Sequence, residues 1–238
     1  MLLANVAVAG TRDPETSDSK YVSYGEKFKC VGKICGKYKD GTRYCASAVA
    51  IKPKWIITAA HVVQNSEECF VTIKDKKILV KNISYPKEFE KGNFGFHDIA
   101  LGNCEEDVDL DFYPELYKNN DEIGKICSVS GYGISGTFIT GARISDGKKR
   151  AGSNCIDYVD RDLLVCSASR RKERSFTELE FIIGSGDSGG GLFIDGKLAG
   201  INSCVLASDK NPDSTYGDES GHTRVSKYLD WINEIIED

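Results

Sequence analysis

Most apolar residues of the chain occur in short runs of three to five positions, bounded by Lys, Asp, Asn or Pro. Runs of β-branched and aromatic residues between turn-forming residues are typical of strands. The pattern therefore predicts strands at Val49–Ile51, Trp55–Ile57, Cys69–Ile73, Ile78–Val80, Ile126–Ser130, Leu163–Cys166, Gly191–Ile194 and Lys197–Ile201.

Two stretches predict more specific elements. Asp195-Gly196 separates two apolar runs, and this dipeptide favours the type I′ turn of a β-hairpin. Near the end of the chain the apolar positions recur at helical spacing, so we predict a C-terminal helix at about 226–237 with Ser226 as its N-cap. An acidic segment, about 105–122, reads as a linker between strand-rich halves at about 25–108 and 123–225. Many short strands with one terminal helix predict an all-β fold of barrels or a sandwich.

Length and charge limit the function. A chain of 238 residues suits one large domain or two small lobes. With 31 Lys and Arg against 36 Asp and Glu, the net charge is −5, so we expect no nucleic-acid partner. The basic runs 148–150 and 170–172 are interpreted as solvated loops. No apolar run approaches the roughly 20 residues of a membrane span, and we expect no membrane partner.

The N-terminal residues allow two interpretations. Ala7-Val8-Ala9 imitates the A-x-A site of a secretory signal, but no basic residues precede it and the segment is too short. We therefore interpret it as part of the fold or as the remnant of a longer precursor.

Cysteine and histidine usage argues against a metal or redox protein. The nine cysteines form no C-x-x-C pair, and only three histidines are present. We therefore expect no metal site and no cofactor. An odd number of cysteines also does not suggest a closed disulfide framework, and each could be a small buried hydrophobic residue.

The stretch Gly184–Gly191 carries the strongest chemical signal. Its glycines can hold the Ser188 hydroxyl at the tip of a tight turn whose N–H groups converge on one point. A serine nucleophile needs a general base and a carboxylate that orients it. His61 comes directly after Thr58-Ala59-Ala60, which ends an apolar strand. Asp98 comes directly after His97 and begins another apolar strand. Each residue alone would more often be structural, whereas the three together predict nucleophilic catalysis.

Three segments, Thr58–His61, His97–Leu101 and Gly186–Gly190, resemble the signature blocks of the trypsin/chymotrypsin family of serine proteases. Further segments in the family's order also resemble it, namely Cys45–Ala48, Ser130–Gly133, Gly200–Ser203, Thr223–Ser226 and Asp230–Ile232. The resemblance implies two packed six-stranded antiparallel β-barrels forming one peptidase domain, with the active site between them. It also implies a serine endopeptidase that works through an acyl-enzyme, and we expect a monomer.

The same resemblance assigns roles to individual residues. Ser188 would be the nucleophile, His61 the base and Asp98 the carboxylate that orients it. The N–H groups of Gly186 and Ser188 would form the oxyanion hole. The strand Ser203-Cys204-Val205 would pair with a polypeptide substrate, and Ser203 would also hydrogen-bond the catalytic aspartate.

The expected specificity pocket departs from that of trypsin. Ile182 stands where an aspartate would select Lys or Arg, so we expect no cleavage after basic residues. Val205 would narrow the pocket and favour small or medium apolar side chains. His222, with Ser185 and Ser220, could instead recognise an acidic side chain, or it could be a core residue bonded to the backbone. Two neighbouring carboxylates, Asp218 and Glu219, would oppose acidic substrates.

The cysteines and the N-terminus also depart from the family. Val62, Gly184 and Ile194 stand where the family has disulfide cysteines, and only Cys155 with Cys166 resembles a retained pair. This favours a reducing compartment or a virus particle, with secretion as the alternative.

Family members free an N-terminal amine that pairs with the residue equivalent to Asp187. Ala7–Gly10 resembles that N-terminus loosely, so either cleavage before Ala7 activates the chain or Asp187 has another partner. A zymogen-like or catalytically silent binding module on the same fold is the alternative function.

Overall fold

The computed structural model describes residues 10–89 and 95–237. A short strand β1 (Thr11–Arg12) and a helix α1 (Asp18–Gly25) come first. Six antiparallel strands then close into a barrel, in the order β2-β3-β4-β7-β6-β5. They are β2 (Val31–Tyr38), β3 (Arg43–Lys52), β4 (Trp55–Thr58), β5 (Ser66–Ile73), β6 (Lys76–Ser84) and β7 (Ala100–Cys104), and a single helical turn α2 (Ala60–Val63) follows β4.

Ten strands of the second half follow residue 125. They are β8 (Ile126–Gly131), β9 (Ser135–Thr137), β10 (Gly141–Ile144), β11 (Arg150–Cys155), β12 (Tyr158–Asp160), β13 (Leu163–Ser167), β14 (Phe181–Ile182), β15 (Gly191–Ile194), β16 (Lys197–Ala207) and β17 (Asp218–Arg224). Seven of them form a sheet in the order β11-β8-β15-β16-β17-β13-β12, and a four-stranded sheet has the order β10-β9-β1-β14.

The predicted fold class is confirmed, and the second half differs from the expected six-stranded barrel in detail. The N-terminal strand β1 crosses over to this half, where it pairs with β14 and, in parallel, with β9. The short β12 also extends the large sheet at one edge. The first residues of the described chain therefore belong to the second half.

Every strand predicted from the apolar runs lies within an observed strand. The barrel core accounts for this agreement. Ile34, Val49, Ile56 and Leu101 are fully buried, and each lies in a short segment whose residues are all apolar or alternate between apolar and polar. The predicted hairpin is also confirmed. Ile194 pairs with Lys197, and the two turn residues between them have φ values of 49° and 77°.

The C-terminal helix is confirmed, but its predicted N-cap is wrong. Val225–Lys227 form a 3₁₀ turn, and α3 spans Leu229–Glu237. Ser226 lies inside the 3₁₀ turn and its hydroxyl contacts Glu122 at 3.3 Å. Ile232 is buried in the core that contains the barrel residues, so α3 packs its apolar side on the body of the protein.

The cysteine pairing differs from the sequence expectation. Cys35 and Cys45 are directly opposite on β2 and β3 and form a disulfide. Cys155 and Cys166 are not bonded, which corrects the predicted pair. Successive side chains of a strand point to opposite faces of the sheet. Asn154 points into the core, so the neighbouring Cys155 points away from it. The Cys166 sulfur lies 4.0 Å from that of Cys127 instead.

Candidate active site

Ser188 lies in the glycine-rich turn Gly184–Gly190, called the serine turn below, which packs against the end of β4. Gly186 and Gly189 have φ values of +85° and +81°, which L side chains adopt only with strain. A Cβ at Gly189 would lie 2.0 Å from Thr58 Oγ1 and 3.0 Å from Ala59 N. The missing side chain therefore lets the serine turn touch the segment that leads directly into His61.

Ser47 anchors this turn from the first barrel. Its N–H donates to the carbonyl of Ser188 at 2.9 Å, and its hydroxyl donates to the carbonyl of Gly186 at 2.8 Å. The same hydroxyl accepts from Tyr132 N at 2.8 Å. Among the described residues, the N–H groups of Gly186 and Ser188 donate to no protein acceptor. The turn is therefore fixed through its carbonyls, while the two predicted oxyanion donors remain available.

Asp98 holds His61 through two hydrogen bonds. His61 Nδ1 lies 2.6 Å from Asp98 Oδ2, and His61 N–H donates to Asp98 Oδ1 at 2.8 Å. The hydroxyl of Ser203 donates to Asp98 Oδ2 at 2.6 Å, as the sequence predicted. Asp98 is 1% exposed, whereas the His61 side chain is 44% exposed. The carboxylate is thus enclosed, and the imidazole faces the cleft.

This geometry shifts both pKa values. Burial would by itself raise the pKa of Asp98, but the nearby His61 and the hydrogen bonds it receives hold that pKa below its usual value. Burial would lower the pKa of His61, and the carboxylate of Asp98 more than offsets this, so the pKa of His61 is raised. The pair therefore stabilises the protonated imidazole that forms when His61 accepts a proton as a base.

Thr223 is a supporting residue of this site that sequence reasoning did not assign. Its hydroxyl donates to the backbone carbonyl of Asp98 at 2.9 Å. Thr223 and Ser203 lie on β17 and β16, so the second half of the chain fixes an aspartate that precedes a strand of the first half. Neither Thr223 nor Ser47 stands out in the sequence as a site residue.

The side chain of Asp187, within the serine turn, is buried and accepts three backbone hydrogen bonds. Its carboxylate accepts from Gly133 N at 2.8 Å, Gly10 N at 2.9 Å and Gly184 N at 3.2 Å. Burial outweighs these bonds and raises its pKa to about 6. The residue that reaches Asp187 is thus Gly10, three positions beyond the Ala7 suggested by the sequence, and Ala7–Ala9 lie outside the described residues.

The residues predicted for the specificity pocket lie in and around the core of the second half. Ile182 is fully buried on β14, and Ser185 is half-buried in the serine turn. Val205 lies opposite Ser220 across β16 and β17 and packs on this core. The side chain of Cys204 belongs to a different cluster, with Leu163 and Val165, so Cys204 can meet a substrate only through its backbone.

His222 has only internal partners among the described residues. Its Nδ1 lies 2.9 Å from Asn202 Oδ1, and its Nε2 lies 3.0 Å from Ser220 Oγ. Asn202 uses its amide nitrogen on the carbonyls of Ser130 and Asp187, so its oxygen accepts and His222 Nδ1 donates. Burial lowers the pKa of His222 to about 3. His222 is therefore neutral near pH 7, and it makes no hydrogen bond with Ser185.

Comparison with known proteins identifies the family. A family model described as Trypsin matches residues 27–232. The chain belongs to this family of serine proteases. A protein C activator from Agkistrodon piscivorus leucostoma is 27% identical over 222 residues, which cover 86% of this chain and 78% of that protein. The chymase of Papio hamadryas is 26% identical over 219 residues, covering 83% and 81% of the two chains.

Solved structures of trypsin-fold proteases share the architecture. HL collagenase superimposes with a TM-score of 0.70 at 19% identity, covering 89% of this chain and 94% of that one. Neuropsin, a serine protease expressed in mouse brain, has a TM-score of 0.70 at 18% identity and coverages of 89% and 96%. At such identities the superposition establishes the fold alone.

The described part of the chain lacks a membrane-spanning helix and a cluster of metal-binding side chains. No helix in residues 10–89 or 95–237 is long and apolar enough to cross a membrane. The same residues contain no group of three or more His, Cys, Asp or Glu side chains placed to bind a metal ion.

Proposed function

We propose that this member of the trypsin family is an active serine endopeptidase. Ser188 attacks the peptide carbonyl, and His61 takes the proton of its hydroxyl and later passes it to the leaving amine. Asp98 orients the imidazole, and the N–H groups of Gly186 and Ser188 stabilise the oxyanion. The observation that carries the proposal is the 2.6 Å contact from His61 Nδ1 to the enclosed Asp98.

A fluorophosphonate probe tests this proposal directly. The wild type should be labelled at Ser188, and its labelling should fall to background in Ser188→Ala. Ser145→Ala, which alters an exposed serine outside the site, should label like the wild type. A folded wild type that stays unlabelled at Ser188, or a Ser188→Ala variant that still cleaves peptides, would refute the proposal.

For specificity, we propose a small or medium apolar residue before the cleaved bond. The buried Ile182 supports an uncharged pocket floor, and the packed Val205 supports a narrow one. His222 is committed to internal hydrogen bonds, which favours its interpretation as a core residue over recognition of acidic substrates. A peptide-library profile tests this proposal, and a preference for Lys or Arg before the bond would overturn it.

A second candidate is a zymogen-like state, and the environment of Asp187 favours it. In residues 10–89 and 95–237 this buried carboxylate is bound by backbone N–H groups, with no cation in hydrogen-bond contact. Cleavage between Ala9 and Gly10 would replace the Gly10 amide with an ammonium group at the same place. A chain that begins at Gly10 should then react with the probe at least tenfold faster than one that carries residues 1–9. Equal rates would argue against the zymogen-like state.

A further inference from the structure

The strand predicted to pair with substrate continues past the specificity pocket. β17 pairs with β16 as far as Ala207, whereas β15 pairs with it only up to Ile201. In the described part of the chain, one edge of Ser203–Ala207 is therefore unpaired. An extended peptide can add to such an edge as a further strand.

A cavity of about 710 Å³ opens beside the outer half of this strand. Residues 205–208 of the strand and its following turn line the cavity, together with Glu219 of the adjacent β17 and Tyr158 of β12. Ser203 contacts Asp98, so it marks the position of the reacting bond. Residues two to four positions further along a strand lie about 7 to 13 Å away. A substrate that pairs with β16 would therefore place residues two to four positions before the cleaved bond next to this cavity.

Glu219 is the acidic group of the cavity wall. Tyr158 donates to its Oε2 at 2.7 Å, and Ser167 donates to its Oε1 at 3.2 Å. These two neutral hydroxyls hold the carboxylate in place without neutralising its charge. Among the described residues Glu219 has no ion-pair partner, and a carboxylate has further lone pairs with which to accept.

Other charged groups lie near the cavity. Burial, followed by the contact with Glu219 and the charges of Asp160 and Asp157, raises the pKa of Tyr158 to about 12. Lys210 is a cation among the lining residues, and it is exposed on the turn after β16. Asp160 is paired with Arg161 at 3.7 Å. The carboxylate of Glu219 is held only by neutral hydroxyls, and this fixed negative charge favours a positively charged guest.

We propose that the cavity lined by β16, Tyr158 and Glu219 binds a Lys or Arg side chain that the substrate carries two to four residues before the cleaved bond. The inference rests on the proposed endopeptidase function. It assigns the selection of basic residues to Glu219, away from the uncharged pocket at Ile182. The enzyme would then read two features of a substrate, an apolar residue at the bond and a basic residue upstream.

Quenched peptides that share one apolar residue before the cleaved bond test the inference. Each series carries Lys, Gln or Glu two, three or four residues before that bond. At one of these positions the wild type should cleave the Lys peptide with a kcat/KM about fivefold to tenfold above that of the Glu peptide, mainly through KM. In Glu219→Gln this ratio should fall below twofold. Glu178→Gln, which alters an exposed carboxylate elsewhere in the second half, should keep the wild-type ratio.

Binding to Ser188→Ala separates this inference from the proposed function. The variant should bind the uncleaved Lys peptide about fivefold more tightly than the Glu peptide, and Ser188→Ala with Glu219→Gln should lose the difference. Labelling of wild-type Ser188 reports on the chemistry independently of the cavity. Equal binding of the Lys, Gln and Glu peptides would overturn the inference whether or not the probe labels Ser188.

Discussion

At the scale of single residues, Asp98 joins the parts of the site. It accepts from His61 at two atoms and from Ser203 at one, and it is enclosed by the protein. A carboxylate oxygen only accepts hydrogen bonds, so it selects the tautomer of His61 that carries its proton on Nδ1. The other ring nitrogen is then free to act as a base.

Replacing Asp98 should test this role. In Asp98→Asn the amide N–H can donate to His61 Nδ1 and favour the tautomer that carries the proton on Nε2, which cannot accept a proton from Ser188. We therefore expect kcat to fall by about 10⁴-fold while the protein stays folded. Asp111→Asn, which changes an exposed carboxylate, should leave kcat unchanged. Steady-state kinetics and circular dichroism provide the measurement, and a loss of less than tenfold would contradict the assigned role.

The pH dependence of the wild type follows from the same pair. His61 must be neutral to accept a proton, and its pKa is raised above the usual 6.5 by Asp98 against the opposing effect of burial. The rate constant kcat/KM should therefore decline as the pH falls through a midpoint above 6.5. A pH–rate profile with an acid midpoint at or below 6.5 would contradict this explanation.

Asp187 should make the stability of the intact chain depend on pH. Burial raises its pKa from 3.8 to about 6, so the folded state binds this proton more tightly than the unfolded state does. Lowering the pH from 7 to 4 should therefore stabilise the wild type relative to Asp187→Asn, by roughly 2 kcal/mol. Urea unfolding of both proteins across this range measures the difference. A constant difference would show that Asp187 does not carry the raised pKa.

At the scale of elements, the serine turn depends on close packing as well as on its glycine conformations. Gly189 and Gly196 both have positive φ, at +81° and +77°. A Cβ would clash with Thr58 at Gly189, whereas nothing lies within 4 Å at Gly196. The two glycines therefore allow the effect of conformation to be separated from the effect of packing.

Alanine substitution at the two glycines should give different results. Both variants strain the backbone by about 1–2 kcal/mol, but Gly189→Ala also pushes the serine turn away from β4. Fluorophosphonate labelling of Ser188 should fall at least 100-fold in Gly189→Ala and stay near the wild-type rate in Gly196→Ala. Equal labelling of the two would mean that the contact with Thr58 is not needed.

Some elements were predictable from the sequence and others were not. The β15–β16 hairpin was, because its turn needs residues that tolerate positive φ and Asp-Gly supplies them. Helix α1 was not predictable, because only Tyr21 and Gly25 of its eight residues are buried and its apolar residues do not recur at helical spacing. It is held by tertiary contacts, such as the 2.7 Å ion pair from Arg150 to Asp18.

At the scale of the whole molecule, the site depends on contacts between the two halves. Ser47 belongs to β3 of the barrel, and its hydroxyl bonds the carbonyl of Gly186 and the N–H of Tyr132 in the other half. The fully buried Ser47 lies where the halves meet. Its loss should therefore affect the geometry of the serine turn more than the fold of either half.

Ser47→Ala tests this coupling. The substitution leaves a carbonyl and an N–H group without their partner, which should cost about 1–3 kcal/mol, and kcat should fall at least tenfold. Ser128→Ala provides the matched control, because it removes a 2.7 Å hydrogen bond to Tyr24 within the second half. It should reduce stability without reducing kcat. Equal kcat values for the two variants would contradict the proposed coupling.

The sequence by itself determined the strands, the hairpin, the terminal helix and the identity of His61, Asp98 and Ser188 as candidates. These features depend on local apolar patterns and on short motifs, which the chain displays directly. Tertiary structure alone decided that Gly10 reaches Asp187, that Cys45 pairs with Cys35, that Ser47 anchors the serine turn and that Glu219 faces a cavity. Each of these pairs residues from different strands or turns, and such contacts depend on how strands register and pack rather than on any local pattern.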